Sequence, residues 1–147
     1  MAYNETYRTD PAAAFEGMVA DMSNAVIVSK TAEAAIGFGK AVARGDDSNT
    51  ARVTETGDTE ILGIAVRSQA TEPTTTGEYP AKDTAAIMRK GPIWVKAGAT
   101  VAEGDSVYVT VNGGAFTGAS GTGKVQIAGA TFETAGAAND LVRVHIV

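Results

Sequence analysis

The fold class of this chain is decided by one stretch, SVYVTVNGGAFT at residues 106–117. Val107, Val109 and Val111 occupy every second position, and alternate residues of a strand point to the same face. Asn-Gly-Gly follows at 112–114, where Asn and Gly accept the positive φ angles of a tight hairpin turn. The stretch therefore predicts two antiparallel strands joined by a short turn.

The same pattern continues in both directions from this hairpin. Near the C-terminus, Val142, Val144 and Ile146 alternate with other residues and predict one buried face of a strand. Only residues 11–16 and 29–35 have a pattern compatible with a helix. Short apolar runs bounded by Gly and Asp clusters predict an all-β sandwich or barrel in a single domain. The further runs lie at residues 25–28, 36–44, 51–54, 61–66, 85–90, 93–96 and 124–128.

Composition narrows the classes of function. The 147 residues fit one domain, and 17 Asp+Glu against 12 Lys+Arg give a net charge of −5 without a basic footprint for nucleic acid. No apolar run reaches the ~18 residues of a membrane span, and the first ten residues, MAYNETYRTD, lack the features of a signal peptide. The chain has no cysteine, which suits synthesis in a reducing cytoplasm.

Residues 1–17 are predicted to form an extended N-terminal arm, followed by a β domain at 18–147. Tyr3, Tyr7 and Phe15 are aromatic anchors spaced too widely for a single strand. The alternative to a docked arm is a frayed terminus, which small domains commonly have. Both interpretations fit the sequence.

A glycine-rich segment at 118–125, GASGTGKV, matches most of a phosphate-binding loop. Such a loop needs Ser or Thr after the lysine to hold Mg²⁺, and Val125 stands there instead. It also needs a helix after the loop, whereas an alternating strand pattern follows. We expect a connection between two strands rather than a nucleotide site.

The remaining polar motifs do not assemble into a catalytic centre. Arg44-Gly45-Asp46 spells an integrin-binding tripeptide, but Gly-Asp after a strand is ordinary turn chemistry. His145 is the sole histidine, which excludes a multi-histidine metal site. Glu16 and Asp21 are candidates to pair with basic residues of a neighbouring molecule. We expect no enzyme, no cofactor and no metal. A glycosidase-type pair of carboxylates stays open as an alternative, because the distance between two carboxylates is not contained in the sequence.

Four segments in order give the chain a resemblance to a known family. The first is residues 11–21, where the arm ends in Gly-Met-Val-Ala-Asp, and the second is residues 36–45, Ile-x-Phe-Gly-x-Ala-Val-x-Arg-Gly. The third is residues 62–66, Leu-Gly-Ile-Ala-Val. The fourth is residues 88–95, Met-Arg-Lys-Gly-Pro-Ile-Trp-Val, which is followed by Gly-Asp-x-Val-Tyr at 104–108. Together they span most of the chain. The chain resembles the structural cement, or decoration, proteins of tailed bacteriophages.

The resemblance implies a jelly-roll-like or barrel domain that forms a dimer or trimer on the virion. It implies binding to the major capsid protein on the outer capsid surface, where the protein reinforces contacts between capsomers. The acidic surface of the chain favours the outside of the shell over the side that faces DNA. The alternative is a non-catalytic β-sandwich module that binds carbohydrate or is associated with the tail. Carbohydrate-binding modules usually present several exposed aromatic residues, and only 6% of this chain is aromatic, which disfavours that alternative. The residues expected to contact the capsid or a sister protomer are Tyr3, Tyr7, Phe15, Met18 and Trp94.

Overall fold

The computed structural model describes residues 14–68 and 77–147. Within these ranges the regular structure is all strand, which confirms the all-β prediction, and no helix is long and apolar enough to cross a membrane. The strands are β1 (Val26–Ala32), β2 (Ile36–Gly37), β3 (Ala41–Arg44), β4 (Thr50–Val53), β5 (Gly63–Ala65), β6 (Glu78–Tyr79), β7 (Thr84–Lys96), β8 (Ser106–Thr110), β9 (Ala115–Thr117), β10 (Lys124–Phe132) and β11 (Leu141–Ile146).

Five strands close into a small barrel. Hydrogen-bonded neighbours run in the order β1, β4, β3, β5 and β7, and β7 pairs back onto β1. The β1–β4 contact is parallel and short, and the other four contacts are antiparallel. Closure removes free sheet edges and encloses an apolar interior. The buried residues of this interior are Ala32, Ile36, Phe38, Val42, Ala51, Leu62, Ala65, Tyr79, Ala85 and Ile87.

The second half of β7 belongs to another curved sheet, ordered β7, β11, β10, β8 and β9. The runs at 85–90 and 93–96 therefore form one strand of 13 residues, which passes through Gly91 at a φ of 115°. An isolated bridge between Ala97 and Phe116 brings β9 back to the end of β7. Strand β7 is thus shared by both curved layers.

The larger core lies between these two layers. Ala41, Ile64 and Met88 contribute to it from the first barrel, while the second sheet supplies Ile93 and most other members. Each of these four side chains is completely buried. Because one apolar cluster draws on both layers, the two layers bury a continuous core.

Several local predictions can be compared with the structure. The 106–117 hairpin is confirmed, with Asn112 at a φ of 71°. The helical alternative for residues 29–35 is wrong, because β1 covers most of that stretch. The run at 36–44 divides into β2 and β3, since Gly39 adopts a φ of 74° between them. Residues 14–16 are not helical, and 11–13 lie outside the described residues.

Candidate functional site

The segment at residues 17–20 is docked on the second half of β7. The Gly17 amide donates to the Trp94 carbonyl at 2.7 Å, and the Trp94 amide donates to the Met18 carbonyl at 2.9 Å. The pairing continues where Val19 forms an antiparallel bridge with Ile93. Residues 17–20 therefore behave as a short strand added to β7.

Gly17 is the tightest point of this docking. Its φ is +80°, and a Cβ built on it would lie 2.7 Å from the Gly39 nitrogen and 3.0 Å from the Arg67 nitrogen. The Arg67 amide also donates to the Gly17 carbonyl at 2.7 Å. Only glycine combines this backbone angle with so close an approach, so glycine at position 17 is a structural requirement.

Met18 and Trp94 share the outer face of the sheet. Because Val19 and Ile93 turn inward, their strand neighbours Met18 and Trp94 point the other way, side by side across the pairing. Arg143 is opposite Trp94 on β11 and continues the same row. Met18 is 41% exposed and Trp94 is half-buried, so these two side chains present an apolar surface to solvent beside Arg143.

Charged groups lie beside this row. Arg143 donates to Asp21 at 2.7 Å and pairs with Glu133, whose other oxygen is 3.0 Å from His145 Nδ1. Hydrogen bonds from Ser23, with a smaller contribution from Arg143, hold the pKa of Asp21 below its ordinary value. The His145 ring therefore lies beside the ion pairs of Arg143 with Asp21 and Glu133.

Glu16 also pairs within the chain. Its carboxylate oxygens lie 3.0 Å from Lys40 Nζ and 3.9 Å from Lys96 Nζ. Glu16 and Asp21 therefore both have basic partners within the chain, and their expected pairing with a neighbouring molecule stays a prediction. The intramolecular ion pairs help to hold the docked segment against the sheet.

Arg67 was missed by sequence reasoning. Its guanidinium carbon lies 4.9 Å from the centre of the Phe15 ring and 5.7 Å from that of Phe38, both within cation–π range. A surface cavity of about 440 Å³ opens beside it, lined by Phe15, Met18, Val19, Val66 and Arg67. No local signal marks Arg67, because its ring partners come from distant parts of the chain.

We call Phe15, Met18, Arg67 and Trp94 the arm-base surface. Three of the five residues expected to make contacts, Phe15, Met18 and Trp94, therefore lie together at the docked segment. Phe15 is 52% exposed. The other two expected contact residues, Tyr3 and Tyr7, fall outside the described residues.

The polar motifs have structural roles. The glycine-rich segment connects β9 to β10, and β10 is a strand paired antiparallel with β8, which contradicts a phosphate-binding loop. Arg44-Gly45-Asp46 is the end of β3 and the start of its turn, as expected. Within residues 14–68 and 77–147, no three His, Asp or Glu side chains are grouped to hold a metal ion.

The chain thus combines a two-layered β fold with a docked segment at residues 17–20 and a partly exposed apolar pair, Met18 and Trp94. The family model of the structural cement protein (E217 gp24/Pam3 gp6) matches residues 3–147. The chain belongs to this family and has the structural role of a phage capsid cement protein.

Solved structures give the same fold. A chain from the capsid of Myoviridae phage XM1 is similar with a TM-score of 0.80 at 21% identity, covering 99% of this chain and 98% of that one. The base of head fibre gp8.5 of bacteriophage phi29 is similar with a TM-score of 0.55 at 14% identity, covering 84% and 94%. No curated protein sequence matches the chain.

Proposed function

We propose that this protein binds the outer surface of a tailed-phage capsid without catalysing a reaction, and that it contacts the major capsid protein through the arm-base surface. The observation that carries the proposal is the docked segment, which exposes Phe15 and Met18 and places Met18 beside Trp94. Exposed aromatic and methionine side chains are enriched where proteins bind one another. The net charge of −5 suits the side of the shell away from DNA.

Binding of this kind reinforces the shell by mass action. A protein that binds the assembled lattice better than free subunits shifts the equilibrium toward the lattice. A homo-oligomer that touches several capsid subunits gains a further factor on the order of 10²–10⁴ from effective concentration. We propose that the unit on the virion is a dimer or trimer, with protomer contacts in the β domain and synthesis in the bacterial cytoplasm.

The N-terminal arm, with Tyr3 and Tyr7, forms the second part of the proposed contact. A truncation that tests it should end at residue 13, because Glu16 and Gly17 hold the docked segment through ion pairs and backbone hydrogen bonds. We expect removal of residues 2–13 to weaken co-sedimentation with expanded capsids while the unfolding temperature changes little. Undiminished binding by the truncated protein would exclude the arm from the contact.

A double variant, Phe15→Ala with Met18→Ala, tests the arm-base surface directly. Truncating interface residues of this size commonly costs about 1–2 kcal/mol each, so we expect affinity for expanded capsids to fall about tenfold or more. Val147→Ala is the matched control, because it removes an exposed apolar side chain that lies outside the arm-base surface. Equal binding by the double variant and the control would contradict the proposal.

A further inference from the structure

The guanidinium of Arg67 is fixed in place by groups from three parts of the chain. Its backbone amide donates to Gly17, and the carbonyl of Val66 before it accepts a hydrogen bond from the buried Tyr79 hydroxyl. The side chain then lies against the rings of Phe15 and Phe38. The Phe38 ring is itself held edge-to-face by Tyr79, with ring centres 5.0 Å apart. The arginine head is therefore preorganised.

This arginine has no ionic partner within the described part of the chain. The other arginines near the docked segment and on β4 are paired with carboxylates, Arg143 with Asp21 and Arg52 with Asp58. A guanidinium stacked on aromatic rings keeps its N–H donors at the edge of its plane, where they can bind a carboxylate in a two-pronged manner. Arg67 is exposed, so those donors are accessible.

The cavity beside Arg67 supplies the other half of a recognition site. Its remaining lining, Phe15, Met18, Val19 and Val66, is apolar. The unpaired guanidinium is complementary to a carboxylate, and the apolar cavity beside it is complementary to an apolar side chain next to that carboxylate. We propose that this pocket receives an Asp or Glu side chain with an adjacent apolar side chain from the capsid subunit that the protein binds, an inference that rests on the proposed function.

The arrangement favours affinity because little remains to be ordered on binding. An arginine on a flexible surface loses rotamer freedom when it forms an ion pair, and this cost cancels much of the gain. At Arg67 the two rings already restrict the side chain, and the apolar wall shields the new pair from water. The capsid carboxylate therefore binds a preorganised guanidinium, and the entropic cost of forming the ion pair is small.

Binding of Arg67 variants to expanded capsids that lack the protein tests the pocket. We expect Arg67→Gln to weaken binding about tenfold and Arg67→Glu to weaken it further, since the introduced carboxylate repels the capsid carboxylate. Arg67→Lys keeps the charge but loses the planar fork, so it should lie between Gln and the original protein. Arg89→Gln and Arg89→Glu are matched controls, because Arg89 is exposed, has no ion pair among the described residues and lies outside the cavity lining.

Salt dependence provides the second measurement. We expect the affinity of the original protein to decline with ionic strength more steeply than that of Arg67→Gln, because the variant lacks the ion pair. Binding of Arg67→Gln at the original strength would overturn the inference, as would equal losses for Gln, Lys and Glu with one common salt slope. Neither result affects the proposed binding to the capsid, which fails if the original protein does not bind expanded capsids at all.

Discussion

Replacing Gly17 with alanine tests how firmly the arm base is held. A residue with a side chain at a φ of +80° costs roughly 1–2 kcal/mol. The added Cβ would also lie 2.7 Å from the Gly39 nitrogen, so residue 17 must shift and weaken its hydrogen bonds with Trp94 and Arg67. At about 1 kcal/mol for each bond, the total loss is about 3–4 kcal/mol.

The assay is urea and thermal unfolding of the purified variant. For a chain of this size, that loss corresponds to an unfolding temperature about 10 °C lower. Gly104→Ala is the matched control, because Gly104 has a φ of +89° but nothing within 4 Å of a built Cβ. It should therefore lose only the roughly 1–2 kcal/mol due to the backbone angle.

Hydrogen exchange locates the damage. The amides of Arg67 and Trp94 donate to the docked segment, so both should exchange faster in Gly17→Ala, while amides within the β10–β11 pairing should not. Equal destabilisation by Gly17→Ala and Gly104→Ala would refute the reasoning. It would mean that the close approach at Gly17 contributes nothing beyond its backbone angle.

Three further predictions concern the β domain. Asp58 accepts two hydrogen bonds from Arg52, at 2.8 and 2.9 Å, and these lower the pKa of Asp58. Asp58→Asn should therefore reduce the free energy of unfolding by about 1–2 kcal/mol at pH 7. Since a lowered carboxyl pKa stabilises the fold above the ordinary value of about 4, the difference should shrink as pH falls below that value through the folded-state pKa. Ile93→Ala should cost about 2–5 kcal/mol in urea unfolding, because Ile93 is fully buried. Tyr79→Phe should cost about 1–2 kcal/mol by leaving the Val66 carbonyl without its donor.

Each of these has a control in the same chain. Glu103→Gln changes an exposed carboxylate and should show no comparable pH effect, so identical pH profiles for the two variants would contradict the Asp58 assignment. Ile27→Ala removes an isoleucine that is 41% exposed and should cost far less than Ile93→Ala. A Tyr79→Phe variant as stable as the original would show that the hydroxyl makes no net contribution.

Local pattern alone determined the class of fold. Val142, Val144 and Ile146 are all buried and the intervening residues are not, because alternation in a strand sends every second side chain to the core. The hairpin turn at 112–114 was also predictable from local sequence, because its positive φ angles favour Asn and Gly and involve only a few consecutive residues. Val125 after the lysine, together with the alternating pattern that follows it, was enough to identify the glycine-rich segment as a connection between strands.

Only the tertiary structure decided how those strands and charges combine. Ser29–Ala35 looked compatible with a helix, but pairing with β7 and β4 holds most of it in β1, since sheet contacts outweigh weak local preference. The partners of Glu16 and Asp21, and the stacking of Arg67 on Phe15 and Phe38, join residues far apart in the chain. Such contacts depend on the closure of the barrel and on the course of β7, and these are set by long-range pairing that no short window of sequence contains.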